Sequence, residues 1–193
     1  LMARLIVITH PEVTIDPAIP VPLWPLSRNG RAQMKGFAES PICAEVTALW
    51  ASPEVKAQEA AGILGAVRHL GIRTDKALAE NDRSATGYLP PAEFESTANQ
   101  FFAFPEDEIR GWERAIDAQK RITLAVTAIV LAHPGGGDIA VVTHGAVGTL
   151  LYCALKKIPI SRRWDQPGQG HYWVADQQEL VPQHHWLPLT TRL

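Results

Sequence analysis

Cysteine is scarce in this 193-residue chain: Cys43 and Cys153 stand alone, in apolar surroundings and without a CxxC partner. That excludes a disulfide-stapled scaffold and a thiolate zinc site, and both thiols read as reduced core residues. An excess of charge of one sign is missing as well. Eighteen Lys and Arg face 20 Asp and Glu, a balance that argues against nucleic acid or a membrane surface as partner. No apolar run approaches the roughly 20 residues that cross a bilayer, and the N-terminus lacks the long apolar region of a signal peptide. A cytoplasmic protein is therefore expected. Gly135-Gly136-Gly137 precedes a strand and is not followed by Gly-Lys-Ser or Gly-Lys-Thr, so it reads as a turn and not as a phosphate loop. There is no HExxH, and His184-His185 in the Pro- and Trp-rich tail read as exposed or structural. No metal and no other cofactor are expected.

What remains is 46% hydrophobic residues, enough for a full core, with no repeat, low-complexity tract or linker. One domain over 1–193 is the expectation. Leu1 before Met2 reads as an added residue and is left out of the fold reasoning. Leu5-Ile6-Val7-Ile8 and Ile139-Ala140-Val141-Val142 are apolar and non-alternating, the pattern of strands buried on both faces of a parallel sheet. Val46–Trp50 is another strand candidate, Ala77–Ala79 a shorter one, and two more are predicted near 171–175 and 179–182. Helices are predicted from a Ser27 cap to Ala38, from Ser52-Pro53-Glu54 to near Gly71, from Ala92 to Phe102, and from Ala146 to about Leu155. Pro105-Glu106-Asp107-Glu108 is predicted to open the longest helix, through His133. Four prolines between Glu12 and Pro25 make that stretch a long loop. This alternation predicts a three-layer α/β/α sandwich around a mainly parallel sheet.

Two of the buried-strand runs end in Thr-His, at Thr9-His10 and Thr143-His144. The carboxyl ends of parallel strands form the ligand-binding rim of an open α/β sheet, so both imidazoles meet there if the strands are neighbours. Each histidine alone is as well explained as a hydrogen-bonded strand end; the pair points to a shared site. His144 also precedes a helix whose first N–H groups, near Gly145, favour an anion. Lys56 lies in the first turn of its helix, where a cation opposes the helix dipole unless an anion offsets it. Glu80, in a polar loop after Leu78-Ala79, is a candidate proton donor or an ordinary loop carboxylate.

These marks resemble the histidine phosphatase superfamily, with the phosphoglycerate-mutase-like fold. Ile8-Thr9-His10-Pro11-Glu12 stands where the family has a strand followed by Arg-His-Gly-Glu. Leu26-Ser27-Arg28-Asn29-Gly30-Arg31-Ala32-Gln33 is similar to Leu-Thr-x-x-Gly-x-x-Gln. The stretch Ser52-Pro53-Glu54-Val55-Lys56-Ala57, continuing to Ala61, resembles Ser-Pro-x-x-Arg-Ala-x-x-Thr-Ala. Leu78 and Glu80 fit Leu-x-Glu, and His144-Gly145 fits the second His-Gly. The resemblance runs from residue 5 to about 155 and is loose thereafter. It implies phosphoryl transfer through a phosphohistidine on His10, with Glu80 as general acid, His144 donating to the phosphoryl oxygens and Lys56 in place of a phosphate-holding arginine.

Three departures bear on that expectation: Thr9 for arginine, Pro11 for glycine and Lys56 for arginine. Two guanidinium forks are lost, and lysine supplies only a point charge. Thr9 itself, Arg28 and Arg83 are the candidates for additional substrate contacts. The expected activity is slow hydrolysis of a small phosphomonoester; the alternatives are a phospho-ligand-binding or regulatory module without chemistry and, third, a mutase. The expected partner is a small phosphorylated substrate or phosphate anion, and the sequence sets no oligomeric state.

Overall fold

The computed structural model describes residues 2–190, so Leu1 lies outside the described residues. Its elements are strand β1 (Arg4–Thr9), helix α1 (Arg28–Ala38), β2 (Val46–Ala51), α2 (Val55–Arg68), β3 (Arg73–Thr74), α3 (Pro91–Ala103), α4 (Ala115–Ala132), β4 (Asp138–Thr143), α5 (Gly145–Lys156), β5 (His171–Asp176) and β6 (Leu187–Pro188). The sheet order is β3-β2-β4-β1-β5-β6. The β1–β4, β2–β4 and β2–β3 pairs are parallel, and the β1–β5 and β5–β6 pairs antiparallel.

Because successive strand residues point to opposite faces, the non-alternating runs feed two cores. Leu5, Val7, Ile139 and Val141 pack with Ile122, Val126 and Leu150 of α4 and α5. Ile6, Ile8, Ala140 and Val142 pack with Met34, Phe37 and Leu64 of α1 and α2. The result is the expected α/β/α sandwich. At the far end of the sheet from the histidines, the buried Asp138 carboxylate accepts from Arg4 N (2.8 Å), Nε (3.0 Å) and Nη2 (2.7 Å) and pins β4 to β1.

Several local expectations are corrected. Ala77–Ala79 is no strand: Lys76–Leu78 forms a 3-10 turn. The edge of β2 is taken by Arg73–Thr74, and the Ala77 and Ala79 carbonyls accept from Arg121. The longest helix starts at Ala115, not Pro105. Arg110 and Gly111 take positive φ, at 52° and 78°, which breaks any helix there. Trp112, expected on that helix, is instead a buried loop residue beside Phe94 and Phe101. No strand spans 179–182: Asp176 Oδ1 accepts from Gln178 and Glu179 N–H, Leu180 has φ 54°, and Ala175 and Pro182 form a single bridge. The second helix ends at Arg68, with His69 in the left-handed conformation, before Gly71.

The proline-rich segment is a loop, closed at its base where Val13 bridges Leu26. Ser27 N–H donates to the Glu12 carbonyl (2.9 Å), and the Ser27 hydroxyl caps α1 by accepting from Gly30 N–H (3.0 Å). A Cβ on Gly30 would lie 2.1 Å from the Glu12 carbonyl oxygen, so a side chain there must push the loop off α1. Gly30→Ala is expected to cost about 1–3 kcal/mol, as overpacking does, measured by urea unfolding; an unchanged midpoint would contradict this close approach.

Candidate active site

β1 and β4 are in register, with Thr9 beside Thr143, so His10 and His144 emerge side by side from the same rim. His10 N–H donates to the Thr143 carbonyl (3.3 Å), and the two imidazole centroids are 5.2 Å apart in an edge-on arrangement. Both residues are buried, 8% and 2% exposed.

Their partners fix where the ring protons sit. His10 Nδ1 is 3.0 Å from the Pro11 carbonyl, which can only accept, so Nδ1 carries the hydrogen. Nε2 then keeps its lone pair and has no hydrogen-bond partner among the described residues. Burial, with His144 beside it, pushes the His10 imidazole down to about 3. His144 has the opposite tautomer. Its Nε2 lies 3.1 Å from the Glu54 carboxylate and 2.7 Å from Ser52 Oγ, so Nε2–H donates toward Glu54. Burial lowers its imidazole as well.

Glu54 is the centre of a ring of donors. Its Oε1 faces Lys56 Nζ at 3.2 Å, and its Oε2 accepts from Glu80 N–H at 3.0 Å besides facing His144. Burial alone would raise this carboxyl, but His144, Lys56 and the Glu80 N–H hold it down at about 2. Lys56 is spent on Glu54 and on the Val21 carbonyl (2.8 Å), which ties the proline-rich loop over the site. The anion that offsets the helix dipole at Lys56 is thus the chain's own. Ser52 does not cap α2; Glu54 is the first flanking residue, and Ser52 Oγ instead serves His144 and Glu54 N–H.

Glu80 lies across the N-terminus of α5. Its carboxylate accepts from Ala146 N–H (3.1 Å), Val147 N–H (3.0 Å) and Asn81 N–H (3.1 Å), with Arg83 Nη2 3.7 Å away. The helix end beside Gly145 therefore already holds a negative group. Gly145 lines the cleft, and a Cβ there would lie 2.4 Å from Gln166 Nε2. Arg83 reaches the cleft with its guanidinium against Phe94 and Trp112, 5.0 and 4.8 Å from the ring centroids.

Two expected contacts are not made. Arg28 is exposed on the first turn of α1 and does not line the cleft. Thr9 is fully buried and turned away: its hydroxyl donates to Gln166 Oε1 (2.7 Å) and accepts from His171 N–H (2.9 Å), tying β1 to the tail of the chain. A threonine hydroxyl has one hydrogen to give, so none remains for a ligand. The sequence reasoning also missed Ser52 and Glu54 as site residues. Both follow β2, a parallel neighbour of β4, and the strand-end rule applied to the histidines would have found them. His10, Glu54, Lys56, Glu80, Arg83 and His144 share one cleft of about 2150 Å³, bounded by the proline-rich loop and α3. Among the described residues no cluster of three or more His, Cys, Asp or Glu is placed to hold a metal ion, and no helix is long and apolar enough to cross a membrane.

A sequence model of the histidine phosphatase superfamily (branch 1) matches residues 23–174. The chain belongs to that superfamily. No curated protein matches it. Among solved structures it is similar to a mycobacterial glucosyl-3-phosphoglycerate phosphatase (21% identity, TM-score 0.78, 97% of this chain and 100% of that one). It is also similar to YhfR of Bacillus stearothermophilus (23%, TM-score 0.79, 95% of each chain). A third is a phosphoserine phosphatase from Entamoeba histolytica (17%, TM-score 0.76, 96% and 98%). At these identities the likeness is one of fold. In this member of the superfamily His10 and His144 stand at adjacent strand ends, and Glu54 joins Lys56 to His144.

The histidine shifts set a direction for stability against pH. A folded-state imidazole held below 6.5 refuses protons that the unfolded chain accepts, so its stabilisation is full above 6.5 and is lost as pH falls toward about 3. Glu54 adds a loss in the same direction between 4.5 and about 2. His10→Asn should remove roughly 1.4 kcal/mol per pH unit from the slope of unfolding free energy between pH 6.5 and 3. Denaturant titrations of both proteins across that range measure it, and equal slopes would contradict the placement of His10.

Proposed function

We propose that this protein is a phosphomonoester hydrolase that works through a transient phosphohistidine on His10. The observation that carries the reading is the imidazole itself, neutral, with Nδ1–H spent on the Pro11 carbonyl and the Nε2 lone pair left unpartnered beside His144. In the first step Nε2 bonds to phosphorus while the bond from phosphorus to the ester oxygen breaks. In the second, water displaces His10 from phosphorus, releasing phosphate and restoring the neutral ring. His144 Nε2–H, held by Glu54 in the resting site, turns to a phosphoryl oxygen in this reading when substrate binds. The mycobacterial phosphatase has been solved with inorganic phosphate and with VO3, which supports a phosphoryl group as the ligand class here.

Glu80 is the general acid in this reading, and its surroundings constrain that role. Three of its four lone-pair sites accept from backbone N–H groups, leaving one site for the proton that goes to the leaving oxygen. Esters whose leaving oxygen departs as a stable anion, such as aryl phosphates, need that proton least and are expected to react fastest. Turnover should be slow, because neither Thr9 nor Lys56 supplies a bidentate guanidinium contact and one lost transition-state donor can cost about 10²- to 10³-fold. A second reading, an anion-binding module without chemistry, draws support from Thr9, whose hydroxyl is turned away from the cleft, and from Pro11, which has no N–H to offer.

Aryl phosphate hydrolysis should be abolished in His10→Ala and reduced about 10²-fold or more in His144→Ala. The wild type, quenched during turnover, should carry an acid-labile phosphoryl group that His10→Ala lacks. Turnover unaffected by His10→Ala would end the phosphohistidine proposal; calorimetric binding of phosphate without turnover would favour the module.

A further inference from the structure

We propose that Glu54 selects substrate by charge: as a built-in carboxylate in the donor ring beside His10, it admits a tetrahedral group with one negative charge and disfavours the doubly charged form. The proposal rests on the hydrolase reading of the site and adds the ionic form of the phosphoryl group that the site takes.

Three donors converge on Glu54: Lys56 Nζ at 3.2 Å, His144 Nε2 at 3.1 Å and the Glu80 N–H at 3.0 Å. The Glu54 and Lys56 side chains are only 10% and 4% exposed, so water screens this pair poorly. Glu54 cannot be an incidental surface charge, since removing it would leave Lys56 buried beside no counter-ion.

The charged and titratable groups facing Glu54 are Lys56 on its own helix, His10 at the end of β1, His144 before α5, and Glu80 and Arg83 on the loop preceding α3. Lys56 and Arg83 are offset by Glu54 and Glu80, and His10 stays neutral down to about 3. Among the described residues, the cations beside His10 and Glu54 are therefore matched by carboxylates, and no surplus positive charge there favours a dianion. The Lys56 ammonium, whose third hydrogen is not taken by Glu54 or the Val21 carbonyl, can give a hydrogen bond to one phosphoryl oxygen while Glu54 accepts a hydrogen from a protonated one. A singly ionised phosphoryl group has such an O–H; a doubly ionised one does not. The second charge meets the buried Glu54 carboxylate in the same donor ring, where repulsion of this kind weakens binding about tenfold or more. Phosphate monoesters change between the two forms near pH 6, above the range in which His10 protonates.

The probe is inorganic phosphate, titrated calorimetrically into the full chain on the acidic and alkaline sides of its second ionisation. The wild type is expected to bind the monoanion at least about tenfold tighter than the dianion. Glu54→Gln should bind the dianion at least as tightly as the monoanion, and Glu54→Asp should keep the wild-type preference. If Glu54→Gln does not melt cooperatively, Glu54→Ala takes its place, and the wild-type series tests the proposal without any variant. Equal wild-type affinity for both forms, an undiminished preference in Glu54→Gln, or no phosphate binding by any of these proteins would overturn the proposal. Aryl phosphate turnover, run in parallel, separates the two ideas. His10-dependent turnover with no charge preference removes only the role of Glu54. A charge preference without turnover keeps Glu54 and removes the hydrolase reading.

Discussion

The Pro11 carbonyl can only accept a hydrogen bond, and it sits 3.0 Å from His10 Nδ1. From that contact follow the tautomer of His10, the free lone pair on Nε2 and the direction in which the ring faces. Proline at this position restricts the preceding backbone to extended conformations, which prolongs β1 up to the histidine without a competing N–H donor. Register does the rest: with Thr9 paired to Thr143, the ring of His144 has no place to go except beside His10.

Around this fixed ring the anion-handling groups are arranged in an unusual way. Thr9, the last residue of β1, turns its hydroxyl away from the cleft, to Gln166 and the His171 N–H, and so ties the first strand to the C-terminal part of the chain. On the opposite side, Lys56 and Glu54 form a buried pair that also anchors the proline-rich loop through the Val21 carbonyl. His10 and His144 bear their hydrogens on opposite nitrogens, one as lone-pair donor and the other as proton donor, and Glu54 is what holds the second in that state.

Much of the sheet was legible because burial on both faces leaves an unambiguous signature: the apolar runs at Leu5–Ile8 and Ile139–Val142 could only be central strands, and their ends located both histidines. Helices with a clear cap, such as α1 behind Ser27, were equally readable. The errors share a cause. Pro105–Glu108 carries the composition of a helix start, yet Arg110 and Gly111 adopt positive φ so that Trp112 can fill the core, a tertiary demand that local sequence does not display. Ala77–Ala79 is apolar like a short strand, but Lys76–Leu78 forms a 3-10 turn and the Ala77 and Ala79 carbonyls answer to Arg121, 42 or more positions away. In the site, the structure brings His10, Lys56, Glu80, Arg83, Gly145 and His144 to one cleft and leaves Thr9 and Arg28 out of its lining, and the partnerships were not legible. Lys56 was recognised as a misplaced cation that needed an anion; that the anion is Glu54, two residues earlier, depends on how β2 delivers its last residues to the rim.

The family assignment and the α/β/α architecture do not depend on the chemistry of His10, whereas the reading of the site does. Nitrogen-15 NMR of the imidazoles at neutral pH tests it most directly. The account predicts for His10 a neutral ring with hydrogen on Nδ1 and a bare Nε2, and for His144 the reverse pattern. A His10 signal from an imidazolium, or from a ring protonated on Nε2, would contradict it.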